Sequence, residues 1–198
     1  MPSAPTSTRS LTVGDLAFHA RGFELSLGSA NKRPNTIKSY LEAVAQLDAF
    51  LASKGMPRDV ENIRREHVET FQKDQLERLK PASAANRYRS LQQFFKWLLE
   101  EGQIPASPMA KMKPPRVPID PPPVLRDAQL DALIRACAGA DFDARRDKAI
   151  VLVLLDTGVR LSELAGMRLQ DVAEGRSPHP WTIDVDGKTG KRRVALGK

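Results

Sequence analysis

Cysteine is almost missing from this chain: Cys137 is the only one among 198 residues. One thiol excludes an internal disulfide framework and any thiolate-rich zinc centre, and it fits a reducing cytosol. Histidine is nearly as scarce, and His19, His67 and His179 are too scattered in sequence to suggest an imidazole metal centre. Long apolar runs are missing as well. The longest, Ala149 to Leu155, falls far short of the roughly 20 residues that span a bilayer. The opening MPSAPTSTRS has no apolar stretch to act as a secretory signal. Its Ser/Thr content and lack of acids are its one transit-peptide-like feature, and residues 1–10 are expected to be a disordered tail. The expectation is a cytoplasmic protein with no membrane partner and no cofactor.

What is present describes a folded, basic chain. Hydrophobic residues make up 41% and charged residues 28%, and 31 Lys and Arg against 24 Asp and Glu leave a net charge of +7. A pI near 9.8 favours a polyanionic partner, although many basic proteins bind none. The excess is spread over the chain, so a binding face has to come from geometry rather than from a charge block.

Proline divides the sequence. Six of the ten residues from Pro114 to Pro123 are proline, which rules out helix interior and central strand and predicts an extended spacer over 106–124. Before it, over 11–105, four apolar stripes recur at helical spacing: Leu16, Ala20, Phe23, Leu27; Ile37, Tyr40, Leu41, Val44, Leu47, Leu51; Val68, Phe71, Leu76, Leu79; and Ala84, Tyr88, Leu91, Phe94, Phe95, Leu98. Short connections between them predict a four-helix bundle. After it, over 125–198, Asp127 reads as the N-cap of a helix carrying Leu130, Leu133, Ile134 and Cys137. The all-apolar Ala149–Leu155 predicts a helix buried on every side. Trp181, Ile183 and Val185 alternate with polar residues as in a strand, and Asp186–Gly190 turns it back into Arg193–Leu196 as a hairpin.

Three clusters could carry chemistry. On the fourth helix, the face opposite Leu91 carries Asn86, Arg89, Gln93 and Lys96, all hydrogen-bond donors, with no acid before Glu100. Asn and Gln can read adenine edges and Arg can read guanine or phosphate, so the stripe suits a DNA groove; the alternative is a solvated surface. Arg87, at the edge of the apolar stripe, is expected to pack its stem and snorkel its head to water. The second helix opens with Lys32, Arg33, Asn35, Thr36 and Lys38, a donor-rich start suited to phosphate, or to ordinary capping by Asn35 or Thr36. The sharpest signal is Asp156-Thr-Gly-Val-Arg-Leu-Ser-Glu-Leu164. Gly158 ends a rigid helix and Arg160 follows, a planar fork suited to two oxygens of one phosphate. Glu163 shares its helical face and can orient it; an ordinary surface Arg–Glu pair is the alternative. The hairpin adds Lys188, Lys191, Arg192, Arg193 and Lys198 with no acid from Gly187 onward. Gly187-Lys-Thr189 is not a P-loop, because Thr182 stands where that motif needs its first glycine.

In this order the pieces resemble the tyrosine recombinases, the phage-integrase family of DNA strand-exchange enzymes, over roughly 11–198. Thr36-Ile-Lys-Ser-Tyr40, Asn86-Arg-Tyr-Arg-Ser-Leu-Gln-Gln-Phe-Phe-Lys-Trp97 and Gly102-Gln-Ile-Pro-Ala-Ser-Pro108 are similar to the family's core-binding domain. TGVRLSEL with Met167-Arg-Leu-Gln-Asp-Val172 is similar to the segment holding its first catalytic arginine, and GKTGKRRVAL to the hairpin holding its catalytic lysine. The resemblance implies a mainly α fold: a SAM-like four-helix bundle, a proline-rich linker, and an incomplete α+β catalytic domain with a β-hairpin. It implies that Arg160 clamps the scissile phosphate, that Lys188 protonates the leaving 5′ oxygen, and that Glu163 and Asp171 hold the arginine and its helix. It assigns contact with a recombination half-site of double-stranded DNA to Arg33, Thr36, Lys38, Asn86, Arg89, Gln93, Lys96, Lys191 and Arg192. It implies strand exchange through a 3′-phosphotyrosine without metal or nucleotide, by homo-oligomers assembled on DNA.

The sequence departs from the family at one decisive place. No His-x-x-Arg motif occurs, and the only tyrosines, Tyr40 and Tyr88, lie in the helical bundle. The expectation is a fragment or truncated form that binds DNA and does not cleave it alone. The alternatives are a non-catalytic DNA-binding regulator or architectural module derived from the family, and a helical protein-interaction module.

Overall fold

The computed structural model describes residues 15–119, 121–176, 180–187 and 190–197. The chain forms two compact units, 1–120 and 121–198, divided inside the proline-rich stretch. Residues 113–119 and 121–126 are neither helix nor strand, as the density of proline requires.

The four apolar stripes of the first unit become α1 (Leu16–Ser29), α2 (Pro34–Ser53), α3 (Arg65–Arg78) and α4 (Pro81–Glu100). Proline stands at the first position of α2 and of α4, where its missing N–H has no partner to lose. Neither Asn35 nor Thr36 is the N-cap of α2. Arg33 occupies that place with extended backbone, and its carbonyl accepts the Thr36 and Ile37 N–H groups.

The core of this unit is aromatic. Phe23 on α1 lies 6.0 Å from Tyr40 near the start of α2, and 5.5 and 5.4 Å from Phe94 and Trp97 near the end of α4. One ring thus joins α1 to the start of α2 and to the end of α4. Phe50 and Phe71, at 5.3 Å, tie α2 to α3. Asp48 and Arg58 close the outside with two 2.7 Å hydrogen bonds.

The third stripe departs from its expected face. Val68 and Phe71 are buried, but Leu76 is exposed and Gln75 is fully buried in its place. The helix can bury that amide because the Arg87 guanidinium donates to Gln75 Oε1 and the Gln75 amide donates to Asp74. Arg87 therefore turns inward to Gln75 rather than snorkelling to water.

The second unit contains α5 (Asp127–Ala136), α6 (Phe142–Thr157), α7 (Leu161–Ala165) and strands β1 (Val172–Ala173), β2 (Thr182–Gly187) and β3 (Gly190–Ala195). The strands form one antiparallel sheet in the order β1-β2-β3, with Ile183 opposite Val194 and Gly187 opposite Gly190. The alternation expected for β2 is present: Ile183 and Val185 are buried, and Thr182 and Asp184 are only half-buried. The two-residue β1 carries no periodicity of its own and forms only because Val172 and Ala173 meet Ile183 and Thr182.

Two expectations for this unit fail. Asp127 is the first helical residue and Arg126 the N-cap, because Gln129 Oε1 accepts the Arg126 N–H at 3.0 Å. Helix α6 is not buried on every side. Val153 and Leu154 pack toward the small core around Val159, Ile183 and Val185, while Ile150, Leu152 and Leu155 are exposed. The small sheet and α5 cover only part of its circumference. At the end of α6, Gly158 takes φ +60, a left-handed conformation that glycine adopts without a Cβ clash.

Candidate functional site

The same local device positions several arginines of this chain. Arg64, Arg126, Arg160 and Arg168 each precede a helical turn, and the side chain three residues on (His67, Gln129, Glu163 and Asp171) accepts the arginine's own backbone N–H. This is one half of a capping box; arginine, having no acceptor, cannot supply the other half. At Arg160 the device does more than cap. Glu163 Oε2 accepts the Arg160 N–H at 2.8 Å, and Oε1 accepts Arg160 Nη1 at 2.9 Å. The Glu163 side chain is 1% exposed and the Arg160 side chain 64% exposed. A buried anchor thus holds a guanidinium that faces solvent.

The hairpin completes this cluster. Arg192 Nη2 donates to Glu163 Oε2 at 2.9 Å across 29 residues of sequence. A Cβ added at Gly187 would collide with Glu163 Oε1, so the bare backbone there is what lets β2 close over the carboxylate. The Arg160 backbone N–H is the largest influence holding the Glu163 carboxyl below its ordinary value, and the Arg160 and Arg192 guanidiniums add to it against the opposing effect of burial.

A pH dependence follows from that shift. A carboxyl whose value is lower in the folded state than in the unfolded state stabilises the fold fully above its ordinary value of 4.5. That stability is lost as pH falls through the depressed folded value. Protection of the β2 and β3 amides against hydrogen exchange, relative to their intrinsic rates at each pH, is therefore expected to fall below pH 4.5 in the unsubstituted chain. Glu163→Gln should flatten this acid response; an unchanged response in the variant would show that Glu163 does not govern it.

Asp171 does not reach Arg160; its carboxylate caps the Arg168 N–H at 2.8 Å and lines a recess with Glu163, Asp184 and Lys191. Lys188 and His179 lie outside the described residues. Arg193, adjacent to Arg192, is engaged with Asp184 through bonds of 2.7 and 2.8 Å.

In the first unit, Asn86, Arg89, Gln93 and Lys96 are all exposed along α4, while Tyr88, Leu91, Phe94 and Phe95 fill its opposite side. Lys96 lies 3.5 Å from Glu100, and both side chains are open to solvent, where such a pair is weak. Arg89 has no side-chain acceptor among the described residues. At the start of α2, Arg33 and Lys38 are exposed, Thr36 is half-buried, and Lys38 lies 3.9 Å from Glu42. Sequence reasoning missed the Arg87–Gln75 bond and the close approach of Gly187 to Glu163. The glycine itself was visible, but nothing local marks which side chain its missing Cβ accommodates.

Comparison with known proteins follows this division. Residues 21–104 match the phage integrase N-terminal SAM-like domain, and residues 123–196 match the phage integrase family. Tyrosine recombinase XerD of Shewanella oneidensis is 29% identical over 161 residues, covering 81% of this chain and 52% of that protein. The chain spans about half the length of the curated relatives it matches. Among solved structures, a lambda integrase dimer bound to a COC′ core site superposes with a TM-score of 0.70 at 18% identity, covering 91% of this chain and 48% of that one. A lambda integrase tetramer bound to a Holliday junction gives 0.70 at 17% identity, covering 96% and 56%.

Proposed function

This chain belongs to the phage integrase family of tyrosine recombinases, and we propose that it supplies the DNA-gripping part of such an enzyme. Residues 11–105 act as its DNA-binding bundle, 106–124 as its linker, and 125–198 as part of its catalytic domain. The observation that carries this reading is the Arg160 guanidinium, fixed by a buried carboxylate yet open to solvent. Such a group is already oriented before it meets an anion, so little conformational freedom is lost on binding. Charge that develops on a phosphate in a transition state is stabilised most by donors that need not reorganise.

In this reading Arg160 holds two oxygens of the scissile phosphate, and Lys188 gives a proton to the departing 5′ oxygen. Glu163 fixes the arginine, and Asp171 fixes the turn after α7. Asn86, Arg89, Gln93 and Lys96 face a duplex groove. Arg33, Thr36 and Lys38 meet backbone phosphate, as do Lys191 and Arg192 on the hairpin. Lambda integrase on DNA as a dimer and as a tetramer supports a double-stranded partner and assembly of several copies on it. The compartment in this reading is the cytoplasm; no helix among the described residues is long and apolar enough to cross a membrane.

The 198-residue polypeptide is proposed to bind without cutting. Tyr88 is 1% exposed inside the bundle, and burial pushes its hydroxyl above the ordinary value, the opposite of what a nucleophile needs. Tyr40 is half-buried, with its ring stacked 6.0 Å from Phe23. The test is a nicked suicide half-site that traps any phosphotyrosyl link. A retarded complex that dissociates in detergent is expected. An adduct that survives detergent would refute the proposed inactivity, and no retardation even at low salt would refute the DNA reading.

A further inference from the structure

We propose that Arg192 is a second phosphate-gripping residue of the Arg160 site, so that one backbone phosphodiester of duplex DNA is held between two guanidiniums sharing a single buried carboxylate. The inference rests on the DNA reading above and goes beyond a general contact between hairpin and backbone.

The geometry is specific. Arg160 Nη1 and Arg192 Nη2 each lie 2.9 Å from an oxygen of Glu163. Two nitrogens bonded to one carboxylate are at most about 8 Å apart, a span that one phosphate can bridge with two ordinary hydrogen bonds. Both side chains reach water, Arg160 at 64% and Arg192 at 41% exposure, whereas Glu163 is 1% exposed. Each guanidinium has five N–H donors. Among the described residues, each gives only one of these to protein, and both times the acceptor is Glu163.

The charges do not cancel. One buried carboxylate faces two arginines that stay protonated, so the cluster carries a net positive charge. Both oxygens of the Glu163 carboxylate are already engaged: Oε2 accepts both the Arg160 N–H and Arg192 Nη2, and Oε1 accepts Arg160 Nη1. What the cluster can still take is an acceptor from outside with two oxygens and a negative charge. Neighbouring Arg193 is not a substitute, since both of its bonds go to Asp184. The hairpin delivers Arg192 only because Gly187 leaves room for Glu163, which makes Gly187 a positioning residue for both arginines.

The test is a double-mutant cycle on the full chain with a half-site duplex at about 0.1 M salt, using Arg160→Gln, Arg192→Gln and both together. Each single variant is expected to lose roughly eightfold in affinity, the electrostatic value of about one phosphate contact at that salt. Because the phosphate is shared, the double variant should fall within about threefold of the weaker single variant rather than at the product. Arg192→Lys should recover part of the loss. A measurement on the unsubstituted chain guards against misfolding: the Nε–H signals of Arg160 and Arg192 should both shift as duplex is added. Product-like losses, wild-type affinity in Arg192→Gln, or an Arg192 signal that stays still while the duplex binds would each overturn the inference and leave the DNA reading standing. Failure of the unsubstituted chain to bind duplex at all would overturn both.

Discussion

Replacing Arg89 and Lys96 together by glutamine is expected to weaken duplex binding about 60-fold near 0.1 M salt and to lower the log–log salt slope by about two. Both side chains are exposed on the face of α4 that turns away from the aromatic core. Each phosphate neutralised by a cation releases about 0.9 counterion, so two lost contacts multiply to this size. Lys96 gives up only a loose 3.5 Å pair with Glu100 on binding, so little opposes its contribution. Both changes leave the apolar side of the helix untouched, and thermal unfolding should be unaltered. Anisotropy titrations over a salt series check the prediction. Binding and slope equal to wild type would remove α4 from the DNA-binding surface.

Phe94→Ala is expected to cost the first unit about 3–5 kcal/mol, a large part of the 5–15 kcal/mol that a typical domain has. The ring is fully buried and sits among Phe23, Phe95 and Trp97 at centroid distances of 5.5, 5.6 and 6.2 Å. Removing it opens a cavity where α1 and α4 meet, and the remaining rings cannot close it without leaving their own contacts. Urea unfolding followed by Trp97 fluorescence, with Trp181 replaced by phenylalanine, measures the effect. A loss below about 1 kcal/mol would mean that the ring cluster does not hold these helices together.

How much of this could be read beforehand depended on how local each feature is. The stripe from Ala84 to Leu98 announces both the helix and its polar back, because one period of 3.6 residues sets the two faces at once. Phe71 and Gln75 show the limit. Gln75 has the spacing of a core position but the chemistry of a surface one, and only Arg87 on another helix makes its burial possible. Helix α6 misled in the opposite direction, since apolarity around its whole circumference shows what it could bury, not what covers it. The Arg160–Glu163 pair was legible because three residues separate the partners. The Arg192 contact was not, since it depends on strand register and on the missing Cβ of Gly187.

The most direct test of the DNA assignment is to make the outer face of α4 report its own surroundings. Cys137 is the only thiol, so Cys137→Ser with Gln93→Cys places a single attachment point for an iron chelate on that face. Hydroxyl radicals generated there should cut a bound half-site duplex within a few base pairs of one position on each strand. Duplex that is bound with unchanged affinity yet cut evenly, or not at all, would contradict the account.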